Sequence, residues 1–518
     1  MWLRPSLLPV LVTLALVGAA AGCHRAGNAA PAPGDAGPCL VDAAPAEPAP
    51  TPPRFDVEGR FRPVQFDLKA ARETRDLGLT ELPGAARVVD GVAVREIRFL
   101  SSSWDATGRV RPIRIQGYLA IPPGAYPEHT KPAVILAHGL GWHGTAQEAV
   151  EVCRNIDVVA LSISAPGLGG SEGVGVTPQE PRPLFATVPD IRQSWLYAYV
   201  YTILRAVTLV QTLPQTDPRG IVLSGVSMGG VSSLVAGGVD DRIRGVMVLS
   251  AAGGFEDAER QGAWWRRLVA SSAGLKPGDP AAQALFKSLD PLGYAPRQHG
   301  AVFMVVGAQD EFFPIDRVIS TYEAIRAPAK SLEVVADYDH SWYFGSGCPA
   351  RCMPGARPRP KECPAAPTCP TRCPPRAKPP YCGPQGSYNN QDNFIPRWAL
   401  LLRSLVAQHA AQPPRPFSPP PGVPTVERRP RDIVVRPAPG PAPKAVRLAF
   451  SDNHGYTYGH VTLKRGPDGA YHLGRGLPPK VSLFIAEVEA EDGAVATSIP
   501  TLPRDYRPPV RPFGPQPR

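Results

Sequence analysis

A serine, an acid and a histidine lie far apart in this 518-residue chain in contexts that suit acyl-transfer chemistry. Ser227 stands in Gly225-Val226-Ser227-Met228-Gly229, with Gly230 next. The apolar run Ile221 to Leu223 precedes it and an apolar helical stretch starts at Val231. The serine therefore falls on a tight strand-to-helix turn, where flanking glycines avoid side-chain collisions. The N-terminal end of the helix adds a positive dipole where negative charge develops. A neutral hydroxyl needs a base. The base is expected to be His340, in Asp337-Tyr338-Asp339-His340-Ser341-Trp342. The acid is expected to be Asp310, just past the strand-like run Val302 to Val306, with Glu311 beside it and Asp316 beyond Pro314 as rivals.

An oxyanion needs two backbone N–H groups. One is expected from Met228. The other is expected from Leu140, in the loop His138-Gly139-Leu140-Gly141 that follows the run Ala133 to Ala137. In that position His138 reads as a residue that shapes the loop rather than as a base. Neither a metal nor an organic cofactor is expected.

The elements that must position these groups alternate. Val94 to Leu100 and Ile113 to Ile121 read as an antiparallel strand pair. Ala133 to Ala137, Val158 to Ile163, Ile221 to Leu223, Val246 to Leu249, Val302 to Val306 and Leu332 to Val335 are short apolar runs suited to strands covered on both faces. Asp190 to Leu213 and Phe394 to His409 read as helices. Such alternation predicts an α/β fold with a mainly parallel sheet flanked by helices. Residues 255–296, with Trp264, Trp265 and Phe286, read either as a helical cover over the site or as an ordinary crossover.

The rest of the chain is unlike a core. Much of the chain's proline, 31 of 65 residues, falls in residues 29–53, 349–380 and 412–443, and basic residues are dense in the last two stretches, so the net charge of +10 reads as solvated linker. No nucleic-acid module accompanies that charge. Residues 61–411 are expected to form the main domain, with a Cys-rich insertion at 347–387. Residues 412–443 then form a linker and 444–518 a small β-rich domain. Cys348, Cys352, Cys363, Cys369, Cys373 and Cys382 lie in a segment with almost no apolar residues. Disulfides are the expected support there. Cys39 and Cys153 either pair, or Cys153 is simply buried. His454, His460 and His472 fit no ligand spacing, so packing or surface roles are expected.

At the N-terminus, Arg4 precedes the apolar run Leu7 to Val17, and Ala20-Ala21-Gly22-Cys23 follows. This resembles a bacterial lipoprotein signal, with residues 1–22 removed and 23–60 left as a tether. The resemblance implies lipidation of Cys23, a membrane anchor and a place in the cell envelope, the outer membrane before the inner.

From Val94 to Trp342 the chain resembles α/β-hydrolases of the dienelactone hydrolase and acetyl xylan esterase-like group. The marks are HGLG, DPRGIVLSGVSMGG, LDPLGYAP before GAQDEFFP, and YDHSW. The resemblance implies an α/β-hydrolase fold, a Ser227–His340–Asp310 triad and hydrolysis of small-molecule or carbohydrate esters. A prolyl oligopeptidase-like peptidase and a non-catalytic envelope binding protein are the other readings. Residues 54–130 are too short for the propeller such peptidases often carry.

Overall fold

The computed structural model describes residues 59–82, 86–336, 340, 401–407 and 421–508, the last with short gaps at 453, 456–457, 475–476, 478–480 and 482. All of them lie in the unit Pro53–Arg518. Cys23, Cys39 and the six clustered cysteines lie outside the described residues, as do the signal, the tether and the insertion. Cys153 is a buried free thiol, and burial pushes its pKa up to about 12.

The main sheet has ten strands. They are β1 (Thr80–Glu81), β2 (Arg87–Val89), β3 (Val92–Trp104), β4 (Val110–Ile121), β5 (Lys131–Ala137), β6 (Val159–Ile163), β7 (Thr216–Val226), β8 (Ile243–Leu249), β9 (Ala301–Gly307) and β10 (Lys330–Val335). Their order is β1-β3-β4-β6-β5-β7-β8-β9-β10, with β2 pairing on β3. From β6 to β10 every neighbouring pair is parallel, while β3, β4 and β6 pair antiparallel. The apolar runs become strands because both faces are covered: β6 and β9 are buried throughout.

Helices fill the two faces. Helix α1 (Leu68–Ala71) packs beside α3 (Trp195–Gln211). On that side α3, α4 (Met228–Gly237) and α8 (Ile315–Ala324) join one apolar cluster with Ile135, Leu223 and Val248. On the other side α2 (Ala146–Ile156) and the helix at 401–407 pack against Val134, Val222 and Phe303. The expected long helix from Asp190 begins instead as a 3-10 turn. Ser194 then caps α3, accepting from the Leu196 N–H and donating to Leu184 O.

The excursion between β8 and β9 folds as α5 (Phe255–Arg260), α6 (Trp264–Ser271) and α7 (Pro280–Ser288). Asp290 anchors its two ends by accepting from the Gly254, Phe255 and Leu292 N–H groups. Trp265 and Phe286 are buried core, stacked or edge-on with Phe255.

The stretch expected as a linker is partly structured. Residues 412–443 contain a hairpin, β11 (Thr425–Arg429) with β12 (Asp432–Arg436), paired from Thr425 opposite Arg436. Its exposed arginines give it a linker-like composition, but Ile433, Val434 and Val435 are buried. The remaining strands are β13 (Ala445–Ser451), β14 (Gly459–Thr462), β15 (Lys464–Arg465), β16 (Tyr471–His472), β17 (Leu483–Glu489) and β18 (Val495–Thr497). The run His460 to Lys464, which reads as one strand, is divided between β14 and β15. These eight strands make two four-stranded antiparallel sheets, β11-β12-β16-β15 and β14-β13-β17-β18. Ile433, Val435, Val446, Leu448 and Phe484 form their shared core.

Two polar clusters lead to measurements. Arg205 is buried, and its guanidinium donates to the carbonyls of Ala70, Ala71, Glu73, Asp76 and Leu100. It ties the segment after α1 to α3. Arg205→Met leaves those carbonyls without their donor and is expected to cost about 3 kcal/mol, read by urea unfolding followed by far-UV circular dichroism. A loss under about 0.5 kcal/mol would contradict this.

His472 lies between Asp432 (2.7 Å) and Asp468 (3.0 Å), and hydrogen bonds to both raise its pKa. A raised folded value gives stability that is full below the ordinary histidine range and is lost as pH climbs from there through the raised folded value. The thermal midpoint of the wild type should therefore fall more steeply than that of His472→Gln between about pH 6 and about pH 9. Parallel curves would refute the assignment.

Candidate active site

The parallel register aligns the strand ends. Ala137 of β5 pairs with Ile163 of β6 and with Gly225 of β7, and Gly307 of β9 pairs with Val335 of β10. Chemistry-bearing residues just past those ends therefore share one edge of the sheet.

Ser227 adopts φ 53° and ψ −120° between β7 and α4. That backbone is strained for a side-chain-bearing residue and holds the hydroxyl out of the turn. The glycines make the turn possible. A Cβ at Gly225 would lie 2.3 Å from Gly229 O, and one at Gly229 would lie 2.1 Å from Ala137 O. The Ser227 N–H donates to Leu249 O at 2.8 Å, so β8 holds the turn from the other side.

His340 Nε2 lies 3.0 Å from Ser227 Oγ, and His340 Nδ1 lies 2.8 Å from Asp310 Oδ2. All three residues are buried. The other carboxylate oxygen, Asp310 Oδ1, accepts from the N–H groups of Phe312 (2.8 Å) and Phe313 (2.9 Å). The loop itself thus aims Oδ2 at the imidazole. With Nδ1–H donating to Asp310, Nε2 is the ring nitrogen that faces the serine hydroxyl as acceptor.

The rival acids are placed elsewhere. The Glu311 carboxylate accepts from the His340 backbone N–H at 3.2 Å, so it steadies the histidine's main chain. Asp316, in the first turn of α8, accepts from Gln261 and Arg317.

The loop after β5 is a turn in which Trp142 N–H donates to Gly139 O, with Gly141 at φ 73°. Leu140 occupies its first corner, where the N–H is not used by the turn. Met228 is the first residue of α4, and its N–H belongs to the unpaired first turn of a helix.

His138 fixes this loop. Its Nε2 accepts from Ala165 N–H at 2.8 Å, so Nδ1 is the donor, to Gly139 O at 2.7 Å. Burial lowers its pKa to about 4, which keeps the ring neutral. The Tyr199 hydroxyl donates to His138 O at 3.1 Å. Nothing in the sequence marks Tyr199 as functional, because it lies in an unbroken apolar helix.

Aromatic rings line the histidine. Phe312 stacks on His340 at 3.9 Å with a 15° tilt, and Trp264 packs on Phe312 at 4.1 Å. The α5–α7 excursion carries the core aromatics of an ordinary crossover, Trp265 and Phe286, and its Trp264 also touches the acid loop at Phe312. Among the described residues, no cluster of three or more His, Cys, Asp or Glu is placed to hold a metal ion.

The family model described as acetyl xylan esterase (AXE1) matches residues 108–251, which include the Leu140 loop and the Ser227 turn. A second, described as PhoPQ-activated pathogenicity-related protein, matches residues 189–345, which include Ser227, Asp310 and His340. Each of these two matches spans less than a third of the chain. Comparison with curated proteins gives no match.

Solved structures similar to this chain include acetyl xylan esterase 1 from Thermoanaerobacterium sp. JW/SL YS485. It is 20% identical, with 54% of this chain and 90% of that one covered and a TM-score of 0.44. Acetyl xylan esterase from Paenibacillus sp. R4 is 18% identical, with 53% and 86% covered and a TM-score of 0.42. Est1E from Butyrivibrio proteoclasticus with bound ferulic acid is 20% identical, with 44% and 88% covered and a TM-score of 0.34.

Tyr199→Phe keeps the ring and removes the hydroxyl that holds His138 O. It is expected to lower stability by about 1 kcal/mol and to reduce turnover of a chromogenic ester several-fold. Unchanged turnover would mean that the loop after β5 is held without it.

Proposed function

We propose that this protein is a serine hydrolase that cleaves carboxylic esters through an acyl-enzyme. The observation that carries the reading is the continuous hydrogen-bonded chain from Asp310 through His340 to the strained Ser227.

In this reading His340 Nε2 takes the Ser227 proton as Oγ attacks the ester carbonyl. Asp310 holds the tautomer and stabilises the imidazolium that forms. The N–H groups of Leu140 and Met228 receive the oxyanion. The imidazolium then protonates the departing alcohol, and water repeats the sequence on the acyl-enzyme. Neutral His138 holds the Leu140 loop without competing as a base.

The substrate is inferred to be a small-molecule or carbohydrate ester. The acetyl xylan esterase match supports an acetylated carbohydrate as the first class to test. The Ala20-Ala21-Gly22-Cys23 sequence supports a lipid anchor that holds the enzyme at the cell envelope.

The test combines a fluorophosphonate probe with p-nitrophenyl acetate. Ser227→Ala should abolish labelling, and Ser227→Ala and Asp310→Asn should each lower kcat by about 10³-fold or more. Glu311→Gln should cost far less, about tenfold at most. A folded wild type that is neither labelled nor active on any ester would sink the proposal. Asp310→Asn with near-normal kcat would remove Asp310 from its role.

A further inference from the structure

The C-terminal β module reaches the acid loop of the hydrolase domain. Gln309, the residue immediately before Asp310, is 1% exposed. Its Nε2–H donates to the carbonyl of Gly455 at 3.1 Å, across 146 positions of sequence. Gly455 lies in the turn between β13 and β14 at φ 88°, and its own N–H donates to Ser451 Oγ at 2.9 Å. The turn that presents the carbonyl is thus closed at its base.

The surrounding contacts make this a packed junction. Ala449, Tyr458, Leu483 and Ile485 of the module belong to the same apolar cluster as Phe313, Leu332 and Val334 of the hydrolase domain. Thr497 of β18 accepts from Val334 N–H at 2.8 Å and donates to Leu332 O at 3.3 Å, covering β10 at the edge of the sheet.

Asp310 therefore has neighbours on both sides that fix its direction. The Phe312 and Phe313 N–H groups hold its Oδ1 from one side. Gln309, pinned to Gly455, holds the backbone from the other. We propose that the C-terminal module is a positioning element for Asp310, acting through the Gln309–Gly455 bond. The inference rests on the triad reading above. Asp310 matters most when the imidazolium forms, so displacing it lowers turnover more than substrate binding.

The experiment uses the full chain and p-nitrophenyl acetate. Gln309→Leu removes the donor. Gly455→Ala disturbs the acceptor from the module side, since its φ disfavours a side chain and the added Cβ would lie 2.9 Å from Tyr458 Oη. Each is expected to lower kcat about tenfold with KM within about twofold, because small misplacements of catalytic groups have large rate effects. The acid limb of the kcat/KM profile should move to lower pH, as a displaced carboxylate favours the imidazolium less.

The double variant should be little worse than either single one, since both break the same link. Thr497→Val, which loosens the module at β10 instead, should lower the melting temperature but leave the acid limb in place. Folded Gln309→Leu and Gly455→Ala proteins with wild-type kcat and an unmoved acid limb would overturn the proposal. So would effects that multiply in the double variant. A wild type without ester turnover or probe labelling would instead bring down the serine hydrolase reading and this inference with it.

Discussion

The backbone of Ser227 is held at φ 53° and ψ −120°, a conformation that costs about 1–3 kcal/mol for a residue with a side chain. The strain persists because the surroundings leave the turn nowhere else to go. Gly229 fits against the end of β5 with no room for a methyl group, and Gly225 fits against Gly229 in the same way. The Ser227 N–H is held by β8. Three neighbouring strands and the start of α4 thus converge on one residue, and the rest of the site is built around the hydroxyl they raise.

The two partners of that hydroxyl are stabilised differently. His340 is supported from below by Asp310, along its main chain by Glu311 and across its ring face by Phe312. Asp310 is aimed by the N–H groups of its own loop. The opposite wall depends on His138, whose neutral ring bridges Ala165 and Gly139 and so joins the loops after β5 and β6. Burial matters to each of these roles, because hydrogen bonds out of water are stronger and an unpaired group there is costly. The aromatic packing from Trp264 to Phe312 to His340 provides that burial and links the α5–α7 excursion to the site.

The C-terminal strands belong to the same economy of edges and loops. A ten-stranded sheet that ends at β10 exposes an edge, and Thr497 occupies two of its backbone groups. The module has its own apolar core around Val446 and Leu448, yet Leu483 and Ile485 face into the larger core of the main domain. It is therefore bound to the domain by burial and not only by the chain that joins them.

Local pattern was enough to reveal the strand–turn–helix around Ser227, the loop after β5 and the alternation of strands and helices, because each depends on residues close in sequence. Glycine spacing, apolar runs and helix starts are properties of short segments, and they carry the parallel-sheet frame. In sequence Asp310 has a rival in the adjacent Glu311, and the hairpin at 425–436 looks like linker because its four arginines and one proline mask the three buried aliphatic residues Ile433, Val434 and Val435. Which carboxylate faces the imidazole, which tautomer His138 holds, that Tyr199 steadies His138 O and that Gln309 meets Gly455 are decided by groups tens to hundreds of positions apart. Only the packed chain brings such groups within 3 Å or so of each other, because a hydrogen bond depends on distance and angle, neither of which is encoded in any local stretch of residues.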